Sequence, residues 1–208
     1  MCPAGSCDPE HLLPLARAGD AQALGQLLER YRNYLRLLAR VQFGRRLQGK
    51  ADPSDIVQEA FLSAYRDFAK FRGTTETELL HWLRKILATT LAGLARRYVG
   101  TRRRDPRLER RLHDELEHSS QALDGGLAAP HSSPSQQAAR REQAVLLADA
   151  LEQLSEDHRD VIVLRQLEGL SFPEVAQRMA RSSDAVKKLW VRALASLRKA
   201  LGGIHDNG

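Results

Sequence analysis

Apolar residues return every three or four positions along most of this chain, and in one stretch they cease to. Leu24, Leu27, Leu28, Tyr31, Leu35 and Leu38 make one stripe. Ile56, Val57, Ala60, Phe61, Ala64, Tyr65 and Phe68 make a second, and Leu79, Leu83, Ile86, Leu87, Leu91 and Leu94 a third. Such spacing lines one face of an α-helix and no face of a strand. Few Val-Ile-Thr runs and abundant Leu, Ala and Arg agree, so the expected fold class is all-α. Asp20 is placed to cap the first helix, which runs toward the basic GRRLQGK turn, and Ser54 or Asp52 to cap the second.

The periodicity fades between about residues 112 and 137, where ALDGGLAAPHSSPSQQ is rich in Gly, Pro and Ser. That composition reads as a flexible linker. A chain of 208 residues is long enough for two small domains, each with its own core. The expected organisation is a flexible N-terminal extension over 1–19, a helical domain over 20–111, the linker over 112–137, a second helical domain over 138–202 and a tail over 203–208. In the second domain Ala144, Leu147, Ala148, Leu151 and Leu154 share a helix face. Ser155 then caps a helix with an acidic first turn that Gly169 ends.

The stretch LEGLSFPEVAQRMARSSDAVKKLWVRAL reads as two helices joined by a polar turn, a winged-helix-like helix-turn-helix domain that would bind DNA. Ser171 and Glu174 form a capping box around Pro173, and Phe172, Val175, Ala176 and Met179 give a short apolar stripe. Ser182 or Ser183 caps the next helix, whose buried side carries Val186, Leu189, Trp190, Ala193, Leu194, Leu197 and Leu201. Ser183, Asp184, Lys187, Lys188 and Arg192 face outward. A short bracing helix followed by one with its N-terminal residues free is what major-groove reading needs, Lys187 and Lys188 reaching guanine acceptors or phosphates and Arg192 a phosphate. The bland alternative is a helical hairpin with a solvated basic face.

A formal charge of +6 favours a polyanionic partner. From Arg96 to Arg111 eight arginines stand against Asp105 and Glu109, which fits either phosphate contact or a solvated helix end. No apolar run is long enough to span a bilayer and the N-terminus lacks a signal-peptide pattern, so a cytoplasmic location with no membrane partner is expected. Cys2 and Cys7 provide at most one disulfide, and with only His11 nearby they make no metal site. No Walker loop, metal-ligand cluster or nucleophile-base constellation is legible; no catalytic residue, metal or cofactor is expected.

With both halves in view the chain resembles the bacterial RNA polymerase sigma factors of the extracytoplasmic-function type, a two-domain branch of the sigma-70 family, over about residues 20 to 201. DPSDIVQEAFLSAYRDFAKFRG with WLRKIL resembles the family's second conserved region; LEQLSEDHRDVIVLRQLEGLSFPEVAQRMARSSDAVKKLWVRALASLRKAL resembles its fourth. The resemblance implies binding to core RNA polymerase through Asp55, Gln58 and Glu59. It implies capture and melting of the minus-ten element by Phe71, Arg72, Gly73, Thr74 and Thr75 with Arg84, Lys85, Thr89, Arg96 and Arg97. It also implies minus-thirty-five reading by Ser182, Ser183, Asp184, Lys187, Lys188 and Arg192, and an anti-sigma factor as a partner supplied from outside the chain.

The sequence departs from the family at Thr89 and Gly93, where an Asn and an Asp are common. Trp82, beside Leu79, Leu83 and Ile86, is expected to pack in the core. Two other functions compete. A stand-alone helix-turn-helix regulator would need a dimerising element to read two half-sites, and none is legible. A DNA-modifying enzyme would need a nucleophile or metal carboxylates in the first domain, whereas Ser54, Ser63, Asp55 and Glu59 suit capping and a polar helix face.

Overall fold

The computed structural model describes residues 8–46, 52–99, 106–123 and 134–205. Among the described residues every regular element is helical, so the expected all-α class holds, and no strand supplies the wing of a winged helix. The chain divides into two compact units, Met1–Ser120 and Gln121–Gly208. No described helix is long and apolar enough to cross a membrane.

In the first unit α1 (Pro9–Arg17) opens on Asp8, whose carboxylate accepts from the Glu10 N–H at 3.1 Å, with proline at the first helical position. Leu12, Leu13 and Ala16 are buried against α2 (Ala21–Arg30). The flexible extension expected over 1–19 is therefore helical from Pro9: three apolar residues on one turn suffice once a neighbouring helix covers them. Cys2 and Cys7 lie outside the described residues.

The single helix expected after Asp20 is two. Asp20 accepts from the Gln22 and Ala23 N–H groups at 2.8 and 3.1 Å to start α2, but Tyr31 leaves helical geometry at φ −96°, ψ 4° before α3 (Arg32–Arg46) resumes. Tyr31 is fully buried and donates its hydroxyl to Glu76 Oε1 at 2.7 Å. Burial, then the Glu76 charge, push its phenol far above the ordinary value, so it stays a donor.

Asp52, rather than Ser54, caps α4 (Pro53–Asp67) by accepting from the Ser54 N–H at 2.7 Å. A 3-10 turn (Phe68–Lys70) and a short loop lead to α5 (Glu76–Val99). α4 packs between α3 and α5, burying the apolar residues of the second and third stripes with Ile86 and Leu94 partly covered; Tyr65 departs from the expectation at 44% exposed.

The largest difference is α6 (Pro106–Leu123). It occupies the first half of the segment expected to be a linker, and α7 (Pro134–Glu152) occupies its end; residues 124–133 lie outside the described residues. Leu112 and Leu116 are buried, but the next inward positions are Ser119 and Ser120. Ser120 Oγ accepts from the Tyr34 hydroxyl at 2.8 Å and Ser119 Oγ from Gln42 Nε2 at 3.2 Å. Leu123 is buried one turn further on, so the stripe is a row of single leucines broken by two serines in a highly charged helix, a thin signal beside the Gly, Pro and Ser that follow it.

In the second unit α10 (Ser183–His205) packs on α7, α8 (Glu156–Ile162) and α9 (Phe172–Arg178). Ser155 stands at the N-cap of α8 without a side-chain bond there. Arg159 instead joins α8 to the end of α7, donating to the carbonyls of Leu151, Glu152 and Leu154 at 2.9–3.1 Å. Past Ile162 the helix widens into a π-turn over Val163–Leu167, and Arg165 sits 5.0 Å over the Phe172 ring.

Two helices close with the same pair of hydrogen bonds but different residues. After α1 the Asp20 and Gly19 N–H groups reach Leu15 and Ala16 carbonyls, with Gly19 at φ +101°. After α9 the Arg181 and Ala180 N–H groups reach Ala176 and Gln177 carbonyls at 2.9 and 3.3 Å, with Ala180 at φ 53°. The left-handed position costs an L-residue about 1–2 kcal/mol, partly offset by the greater unfolded-state freedom of glycine. Ala180→Gly is accordingly expected to stabilise the second unit by roughly 0.5–1 kcal/mol. Urea unfolding followed through Trp190 in a Trp82→Phe background checks this; an unchanged or lower midpoint would contradict it.

Candidate nucleic-acid interface

The capping box of α9 forms as the sequence suggests, Glu174 accepting from the Ser171 N–H and hydroxyl at 2.7 and 2.6 Å. Ser171 holds the Glu174 carboxyl below its usual range. Between α9 and α10, Ser182 is the residue that caps: its Oγ accepts from the Ala185 N–H at 3.2 Å. Arg181 in that turn meets Asp157 of α8 at 2.7 Å, tying the turn to the helix behind it.

Val186, Leu189 and Ala193 face inward, and Trp190 meets Phe172 edge to face at 6.3 Å. Ser182, Asp184, Lys187, Lys188 and Arg192 are exposed together, with Ser183 half-buried. Lys187 reaches back to Asp184 at 3.6 Å, an exposed pair that contributes little to stability. Leu194, expected inside, is 41% exposed, and Val191 beside the basic residues is 66% exposed.

In the first unit Asp55 and Gln58 are exposed on α4 with Glu59 half-buried. Leu62, 60% exposed, follows them on the same face at i+7 from Asp55 and i+4 from Gln58. Leu62 lies outside the apolar stripe and among polar neighbours, so the pattern that marks the polar face does not mark it; a leucine off the stripe is the only signal in sequence. Arg97 Nη2 donates to Glu59 Oε1 at 3.0 Å, joining a residue expected to meet DNA to one expected to meet polymerase.

The loop before α5 is a compact turn. Thr75 Oγ1 accepts from the Glu78 N–H at 3.3 Å, while Glu78 Oε2 accepts from the Thr74 N–H, the Thr75 N–H and the Thr75 hydroxyl at 2.9–3.1 Å. These bonds hold the Glu78 carboxyl below its usual range. A Cβ on Gly73 would lie 2.3 Å from Phe71 Cζ and 2.8 Å from Glu78 Cβ, so the closeness of the turn requires glycine.

Two residues expected to contact DNA are withdrawn from the surface. Phe71 is 7% exposed, its ring 5.7 Å from Phe68 and 5.1 Å from Trp82; apolar area drew it into an aromatic cluster, where Trp82 packs as expected. Arg84 is 8% exposed, donating to Glu117 Oε1 at 2.7 Å and to the Tyr34 hydroxyl at 3.2 Å. Burial opposes its charge, and Tyr34 and Glu117 more than restore it. Arg96 is half-buried against Glu109 of α6 at 3.2 Å. Arg72, Thr74, Thr75, Lys85, Thr89 and Arg97 remain exposed.

A short brace, a polar turn and a longer helix with basic residues outward stand in one unit, and an all-helical bundle with a mixed polar face in the other. A family model described as ECF sigma factor matches residues 8–202. The chain belongs to the ECF sigma factors. Its relatives include the ECF RNA polymerase sigma-E factor of Haemophilus influenzae, 30% identical over 88% of this chain and 89% of that protein. The sigma-E factor of Escherichia coli K12 is 31% identical over 88% of each chain. RNA polymerase sigma-H factor of Pseudomonas aeruginosa is 28% identical over 92% and 93%. Among solved structures, CnrH in complex with the cytosolic domain of CnrY is similar over 93% of this chain and 97% of that one, at 27% identity and a TM-score of 0.34. ECF sigma factors are initiation factors that bind core RNA polymerase and promoter DNA, and this sigma factor directs promoter-specific transcription initiation.

Proposed function

We propose that this sigma factor divides its work between the two units. The second unit reads the minus-thirty-five element in the major groove with the N-terminal half of α10. The observation that carries this is the placement of Lys187, Lys188 and Arg192, all exposed, opposite the buried Val186, Leu189 and Ala193. The first unit docks on core polymerase through Asp55, Gln58, Glu59 and Leu62, and helps open the minus-ten element with Arg72, Thr74, Thr75, Lys85 and Thr89. Arg97 borders both surfaces. Phe71, Gly73 and Arg84 hold the loop and helix in shape from beneath, a positioning part in place of the direct contact expected of them.

Catalysis belongs to the polymerase, and the work is done where the polymerase is, in the cytoplasm. The exposed faces of α4 and α10 are also what an anti-sigma factor would cover to silence the protein.

The test is transcription from a library of randomised promoters by purified chain with bacterial core polymerase. Specific transcripts are expected with the native chain. Lys187→Ala with Lys188→Ala is expected to weaken promoter binding by roughly tenfold per lysine, and to lower the slope of affinity against salt by about one for each phosphate contact removed. Native transcription unaffected by the double substitution would move DNA reading off this helix. Tight binding to specific duplexes without any transcript would leave a stand-alone regulator.

A further inference from the structure

In the first unit three metal-ligating side chains converge from two helices. His81 is on α5; His113 and Glu117 are one turn apart on α6. His81 Nδ1 lies 3.2 Å from Glu117 Oε1, and His113 Nε2 lies 3.9 Å from the same oxygen. The imidazole rings meet edge to face with centroids 4.9 Å apart. One ligand atom from each residue falls within 4.8 Å of the others. Around a tetrahedral zinc ion, with bonds of about 2.0–2.2 Å, ligand atoms stand roughly 3.3 Å apart, so small side-chain rotations close the set.

We propose that His81, His113 and Glu117 bind a zinc-type divalent cation that joins α5 to α6, with the fourth position open to water. Two imidazoles and one carboxylate are a donor set suited to such an ion. Arg84 is the group that most opposes a cation here, and its geometry resolves the conflict. Its Nε holds Glu117 Oε1 at 2.7 Å, so rotation of the carboxylate presents Oε2 to the ion while Arg84 anchors Oε1 as an outer-shell partner. Burial first, then the neighbouring His81 and Arg84, disfavour a proton on His113 against the pull of Glu117 and Asp114, and a neutral imidazole is the form that ligates. His113 Nδ1 is buried without a hydrogen bond, which leaves that ring's polar contact on the cluster side.

The site exists only in the fold, since His81 and His113 come from different helices. An ion there would fasten α6 onto α5 at one end of the exposed His81, Lys85 and Thr89 row, four residues apart along the helix. The binding site stands whether or not that row meets DNA.

The probe is Zn2+ alone, titrated into the full chain made without an affinity tag, near neutral pH, in competition with a chromogenic chelator. One ion per chain is expected at micromolar or lower free Zn2+, with binding at least about tenfold weaker in His81→Ala and in His113→Ala. A Zn2+-dependent rise in Tm is expected in the native chain and lost in both variants. Circular dichroism of each metal-free variant reports whether the first unit is folded, and Glu117→Gln, which keeps an oxygen for Arg84, replaces any alanine variant that unfolds. Absence of binding by the native chain would overturn the site. So would tight binding that survives these substitutions, since the ion would then use other donors.

Discussion

Arg84→Met is expected to destabilise the first unit by about 3 kcal/mol, although the position reads in sequence as a surface cation on a basic helix. The guanidinium is 8% exposed and serves two helices at once, through Glu117 on α6 and Tyr34 on α3. Methionine fills much of the same volume, so the loss is chiefly electrostatic. Glu117 would keep its charge beside two imidazoles with its strongest partner gone, and about a quarter of its side chain reaches solvent, which limits the penalty to the lower part of the range for broken buried pairs. Tyr34 still donates to Ser120, so its hydroxyl is not stranded. Urea unfolding of a Trp190→Phe background isolates the signal of Trp82 and with it the first unit. Adding Glu117→Gln should recover part of the loss, because the uncompensated charge is what costs most. A change below about 0.5 kcal/mol, the range of ordinary surface substitutions, would mean that Arg84 faces water and is open to DNA after all.

Reversing two charges on α4, Asp55→Lys with Glu59→Lys, is expected to lower affinity for core RNA polymerase by about 100-fold with little loss of fold. This follows from the proposed docking face. Asp55 is exposed and Glu59 is 45% exposed at its side chain, so neither supports the core, and like charges placed in an interface repel rather than merely fail to attract. Glu59 also holds Arg97 at 3.0 Å, so its reversal sets a lysine against an arginine, and Asp55→Lys alone separates docking from that local repulsion. Titration of labelled chain with core polymerase reads the affinity, and the Tm of the variant reports its fold. Leu62→Ala on the same face should weaken binding without altering its salt dependence, as an apolar contact does. If the double reversal binds core as the native chain does, polymerase docks elsewhere on the first unit.

These effects follow the division between what was legible in the chain and what was not. Helix identity was local. Stripes at three- and four-residue spacing placed α4, α5, α7 and α10, and the caps at Asp20 and the Ser171–Glu174 box form between neighbours in sequence, so no distant partner was needed to see them. The outward basic residues of α10 were legible for the same reason, since a helix with one apolar face assigns the opposite face to solvent.

Whether a polar or aromatic side chain stays at the surface depended on partners far away in the chain. Arg84 is buried because Tyr34, 50 residues earlier, and Glu117, 33 residues later, meet it. Phe71 is buried because Phe68 and Trp82 close over it. In α6 the stripe of Leu112, Leu116 and Leu123 is interrupted by Ser119 and Ser120, whose partners Gln42 and Tyr34 lie 77 and 86 residues earlier, so local spacing does not show that the helix docks. The sequence by itself determined α4, α5, α7 and α10 and the exposed basic face of α10, since periodicity and capping act within a few residues; α1, α6 and the break at Tyr31 needed neighbours from elsewhere in the chain. Only the tertiary structure decided which charges are spent inside, because burying a charge is tolerable only where the fold delivers its partner.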